Sequence, residues 1–121
     1  MARRWIIGAT MVALHCLLSV VFTPVIAQTP GQTTLVSVSM SGGQGNGLSN
    51  TPVISADGRY VAFDSGADNL IAGDTNGYYD VFVHDRVTKQ TTRVSVSSTG
   101  QQGNQNSQAA SISADGRYIA F

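Results

Sequence analysis

Residues 33–63 read TTLVSVSMSGGQGNGLSNTPVISADGRYVAF, and residues 91–121 read TTRVSVSSTGQQGNQNSQAASISADGRYIAF. The second stretch repeats the first at a constant offset of 58 residues, without a gap, and 20 of the 31 aligned pairs are identical. A fixed period of this size is the signature of stacked supersecondary units, none of which buries its apolar face alone. Within the repeat, Ile54-Ser55 and Tyr60-Val61-Ala62-Phe63 flank Asp57-Gly58, and Ile112-Ser113 and Tyr118-Ile119-Ala120-Phe121 flank Asp115-Gly116. An Asp-Gly pair between apolar, β-rich runs predicts a hairpin, because it tolerates the positive φ angles of a tight turn. Asp57 and Asp115 are therefore read as turn residues and not as a duplicated acidic site.

Outward from the hairpin, each period resolves into four short antiparallel strands, about 52–55, 59–64, 80–85 and 91–97. Alternating, β-branched segments mark them. Between the second and third lies a long loop, Ser65 to Tyr79. The connections Met40–Asn50 and Ser98–Gln108 are rich in Gly, Asn, Gln and Ser, too polar to pack and too rich in Gly for helix. Four strands per period with polar connections predict an all-β chain of β-propeller blades. Residues 33–121 hold about one and a half blades, whereas propellers use about four to eight, so the chain reads as a fragment. The opening strand, Thr33 to Ser39, matches the last strand of a blade and is expected to pair with a further unit. Tyr60, Phe63, Phe82, Tyr118 and Phe121 are expected in the core between sheets, with Arg59 and Arg117 bridging to neighbouring units or carbonyls.

Residues 1–27 are organised differently. Arg3-Arg4 precede an apolar run from Trp5 to Phe22, and Val25-Ile26-Ala27 offers light residues around a cleavage point before Gln28. That is the three-zone pattern of a secretory signal helix, followed by a linker at 28–32, and it predicts a periplasmic or secreted protein. Contact with a membrane is then limited to the signal segment before cleavage. Leu14-His15 stand before Cys16 where lipid attachment needs small residues. Beyond residue 27 there is no cysteine, so neither disulfides nor thiolate chemistry is available there. The same part carries seven Asp, no Glu and five basic residues, a weakly acidic balance that argues against nucleic-acid binding.

The residues Ile54 to Phe63, followed by Asp80-Val81-Phe82-Val83-His84-Asp85 and a Thr-rich strand, resemble the repeat of TolB-like (WD-like) β-propellers. That family carries a Ser-Pro-Asp-Gly-Arg/Lys turn before an apolar strand; here Ala56 and Ala114 stand at the Pro position. The resemblance implies a non-enzymatic scaffold or protein-binding module with a protein partner. It also leaves room for a second reading: prolyl oligopeptidase-like hydrolases carry a related propeller, and their catalytic domain would lie beyond Phe121. Fold likeness alone does not choose between the two.

One cluster has metal-ligand spacing. In Gly73-Asp74-Thr75-Asn76-Gly77-Tyr78-Tyr79-Asp80, the side chains of Asp74, Asn76 and Asp80 offer oxygens at positions suited to calcium, with Gly77 permitting a sharp turn. The pattern departs from an EF-hand loop in its Gly position and in lacking a Glu at position 12. The same residues would equally make an Asx-turn loop whose Asp80 caps a strand. Beyond residue 27 His84 is the one histidine, with no nucleophile elbow near it, and reads as a surface residue of its strand.

Overall fold

The structure, a computed structural model, describes residues 31–121; the signal segment at 1–27 lies outside the described residues. The described chain is all-β. Four strands, β1 (Ser49–Ile54), β2 (Tyr60–Ser65), β3 (Asp80–Asp85) and β4 (Gln90–Arg93), form one antiparallel sheet in sequential order. Two more, β5 (Ser111–Ile112) and β6 (Ile119–Ala120), form a second antiparallel sheet. Because β5 and β6 are β1 and β2 one period later, the second sheet is the same hairpin met again.

The hairpin turn is built by Ser and Asp side chains together. Gly58 N–H donates to Ser55 C=O (2.9 Å), and Gly58 alone takes the left-handed conformation, at φ 71°. Asp57 keeps a negative φ, so this is a type I turn followed by a left-handed glycine, not the two-residue turn that the Asp-Gly pair predicts. The Asp57 carboxylate accepts from Ser55 Oγ (2.6 Å) and from Arg59 N–H (3.0 Å), which holds its pKa below the ordinary value. Ser55 Oγ in turn accepts from Tyr60 N–H (3.0 Å). Ser113, Asp115, Arg117 and Tyr118 reproduce the same set of bonds.

Strict alternation in β2 and β3 gives the sheet two apolar faces. Val61, Phe63 and Phe82 point to one face and pack with Ala67, Leu70, Val36 and Ile71. The Phe63 and Phe82 rings stack with centroids 5.9 Å apart. Ala62 and Val81 point to the other and pack with Ala110, Ile112 and Ile119, which come from the second sheet and its approach. The two sheets therefore stack face to face, and a bond from Ala56 N–H to Ala114 C=O (2.9 Å) ties equivalent turns together. Of the five aromatic residues expected inside, Phe63 and Phe82 are buried and Tyr60 is half-buried, but Tyr118 and Phe121 are 68% and 55% exposed, since no further strand lies over β6 among the described residues. Arg59 bridges within its own sheet, to Asp85 (2.7 Å).

One strand expectation needs correction. The fourth strand ends at Arg93, not at 97. Val94 N–H still donates to Val81 C=O, but Val81 N–H donates to the Ser95 hydroxyl (3.1 Å), so a side chain replaces the ladder and the chain bends away. Thr33–Ser39, expected to pair with a further unit, has no such unit beside it among the described residues and leads into a tight hairpin bridged at Val38 and Gln44. That hairpin closes with Ser39 N–H to Gly43 C=O (2.8 Å) and a left-handed Gly42, and it recurs as Ser97 N–H to Gln101 C=O (2.9 Å) with Gly100, bridged at Val96 and Gln102.

Candidate functional site

The long loop between β2 and β3 folds back over the connection that follows β4. Asp80 opens β3 with its side chain fully buried, the Asp74 side chain is 4% exposed, and the side chain of Arg93, the last residue of β4, is 7% exposed. One guanidinium nitrogen, Arg93 Nη1, donates to Asp80 Oδ2 (3.1 Å) and Gln102 Oε1 (3.2 Å) and forms an ion pair with Asp74 Oδ1 at 3.0 Å. Asp80 Oδ1 accepts from the Ser95 hydroxyl (2.6 Å). Burial pushes the Asp74 carboxyl above its ordinary pKa, against the opposing pull of Arg93. Arg93 Nε is buried without a hydrogen-bond partner among the described residues.

Gln102 fastens the loop from outside. Its Oε1 accepts from Thr75 N–H and Asn76 N–H, both at 3.1 Å, while its Nε2 donates to Gly73 C=O (2.7 Å) and Thr75 Oγ1 (3.1 Å). Further along, Asn106 Oδ1 accepts from Tyr79 N–H (3.0 Å), and Ser107 N–H donates to Tyr79 C=O (2.8 Å). The loop and the connection thus enclose an open polar hollow with Tyr78 and Arg93 on its walls.

Of the three residues that spacing marks as calcium ligands, Asp74 and Asp80 converge on a cation that the chain supplies itself, and Asn76 joins them only through Asp80. Asp74 and Asp80 face Arg93. Asn76 turns its Nδ2 to Asp80 Oδ2 (3.0 Å) and to Gly103 C=O (3.1 Å), and its Oδ1 accepts from Tyr78 N–H (3.0 Å) in an Asx turn. Among the described residues no group of three or more His, Cys, Asp or Glu is arranged to hold a metal ion. A calcium ion between the two carboxylates would meet the guanidinium already there, so this donor set does not fit the ion while Arg93 stays.

His84 departs from its surface reading. It is 2% exposed, shares the face of Phe82, and pairs through Nδ1 with Thr91 Oγ1 (3.0 Å). Burial lowers its pKa, so the neutral ring is the favoured form. Asp85 points away from it, toward Arg59, and accepts from Val87 N–H (2.9 Å) as well. Sequence spacing missed Arg93, Ser95 and Gln102. The signal for Arg93 was its replacement of Leu35 inside an otherwise repeated strand. Comparison of the chain with protein-family models, curated proteins and solved structures finds no match.

Proposed function

We propose that the chain is part of an extracytoplasmic β-propeller and acts, without catalysis, as a scaffold for a protein partner. The observation that carries this reading is the stacking of one repeat on the next. The β5–β6 hairpin seats Ile112 and Ile119 against Ala62 and Val81 of the preceding sheet, as adjoining blades would. In the residues that recur most faithfully, Ser-Ala-Asp-Gly-Arg-Tyr, the Ser and Asp side chains close the turn, which leaves the connecting loops as the variable, polar rim. Loops on a rigid scaffold are where binding specificity resides.

The test is to express the full-length protein in its host and determine its N-terminus and location. A photoreactive residue placed at Asn104 on the rim would then be cross-linked in place. The expected result is a mature protein beginning at Gln28 outside the cytoplasm, with one protein cross-linked in constant proportion. Retention in the cytoplasm with Met1 intact would refute the location. Turnover of peptide or ester substrates by the purified protein would refute the non-enzymatic role.

A further inference from the structure

We infer that Ser37 and Gln44 form a ready-made docking face for another copy of the repeat, taking the β2–β3 loop of that copy. The inference rests on the reading of the chain as stacked repeats, and it names the partner of a face that stays open among the described residues. Ser95 and Gln102 show what such a pair does. Ser95 accepts from Val81 N–H and donates to Asp80, and Gln102 makes four bonds to the Gly73–Asn76 loop of the preceding unit. Their counterparts one period earlier are Ser37 and Gln44. Among the described residues neither the Ser37 hydroxyl nor the Gln44 amide has a hydrogen-bond partner, and Gln44 is exposed where Gln102 is half-buried.

The hairpin that carries this pair is already in its docking shape. It has the same bridge (Val38–Gln44 against Val96–Gln102), the same closing bond and the same left-handed glycine as the occupied copy. It is also fixed from behind. Gln44 C=O accepts from Asn69 Nδ2 (2.9 Å), Asn46 N–H donates to Asn69 Oδ1 (2.9 Å), and Asn46 Nδ2 donates to Asp68 Oδ1 (2.6 Å). The connection thus acts as mortar, with one side bound to the unit it precedes and the other, through Ser37 and Gln44, directed at a unit before it. A preorganised face loses little freedom on docking. One contact has no counterpart, since Leu48 stands where Asn106 accepts from Tyr79.

The experiment lengthens the chain by one period, inserting a second copy of residues 33–90 before Thr33, so that the junction reproduces the natural Gln90-Thr91 step, and carrying Leu35→Arg in the original copy, so that Asp74 and Asp80 of the inserted loop keep a cation. Amide hydrogen exchange is read at Thr75 and Asn76. In the natural chain, Gln102→Ala should speed exchange at these two amides by about tenfold, and Gln44→Ala should change nothing. In the lengthened chain, Gln44→Ala in the original copy should speed exchange at Thr75 and Asn76 of the inserted copy by a similar factor. The lengthened chain should also melt above the natural one, because the open face is now covered. Unchanged exchange in the lengthened Gln44→Ala variant would overturn the inference, and so would a lengthened chain that melts lower or fails to fold. The clasp in the lengthened chain together with no protein cross-linked from Asn104 would sink the scaffold function and leave this docking intact.

Discussion

Arg93→Met tests the centre of the site. Methionine keeps most of the side-chain volume and removes the charge that Asp74 and Asp80 share. Asp80 is fully buried and Asp74 nearly so, so neither carboxylate gains water in exchange. Breaking a buried pair by removing one partner costs about 3–5 kcal/mol, because an uncompensated charge is left inside. Arg93 Nε has no partner, so the native arrangement is not fully satisfied, and the lower end, about 3 kcal/mol, is the expected loss. For a folded part of this size that corresponds to a fall in Tm of about 12 °C or more. Adding Asp74→Asn and Asp80→Asn should recover most of it, since replacing a whole buried ion network is far less costly than halving it.

The pH dependence gives an independent check on the same substitution. Burial raises the Asp74 pKa in the native protein and Arg93 opposes the rise, so its removal lifts that pKa further. An aspartate whose folded pKa lies above its unfolded value of about 3.9 stabilises the fold while protonated and loses that contribution as pH rises through the folded pKa. The gap between natural and Arg93→Met proteins should therefore be widest at neutral pH and narrow toward pH 4. Urea unfolding followed by circular dichroism across that range measures it. A loss under about 1 kcal/mol at neutral pH, or a gap that stays constant on acidification, would refute the picture of Arg93 as the buried counter-ion.

Calcium should leave the natural protein unmoved: an ion held at an extracellular-module affinity of about 0.1 mM would, at 100-fold excess, add about 2.7 kcal/mol, so a Tm rise near 10 °C in calorimetry would overturn the guanidinium-filled geometry. Gly47→Ala should destabilise by about 1–3 kcal/mol, because its Cβ would lie 2.6 Å from the backbone of Gly66 and Ala67, neither of which can swing aside; chemical denaturation reads the loss. Asp85→Asn should flatten the acid limb of the stability curve. The Arg59 guanidinium holds the Asp85 carboxyl well below the usual range, so its contribution is present above the unfolded pKa of about 3.9 and is lost as pH falls through the folded value; an unchanged acid slope would count against it.

The fold was legible wherever the period and the alternation agreed. The positions of β2 and β3, the hairpin between β1 and β2, and its recurrence in β5–β6 all follow from the repeated Ser-Ala-Asp-Gly-Arg-Tyr and its apolar flanks. Alternation also held the answer for His84, which has the parity of Phe82; a polar ring suggested the surface, and a Thr91 hydroxyl satisfied it inside. The end of β4 was not legible, because it depends on whether Val81 finds a carbonyl or the Ser95 hydroxyl, a choice that tertiary contact makes and local propensity does not.

The site is legible only in where the two copies differ. A strand position that reads Leu35 in one copy and Arg93 in the other cannot be a packing requirement of the repeat itself. Arg93 answers something outside its own strand, namely the two carboxylates that the 73–80 loop brings into the sheet edge. The pairing runs both ways. A loop with Asp74 and Asp80 buried needs a cation on the fourth strand of its unit, and a unit whose fourth strand carries Leu there would leave such a loop with two unpaired buried charges. The unit whose fourth strand is the segment around Leu35 should therefore have a loop without the paired acids, while keeping the backbone donors and acceptors that Gln44 would clasp.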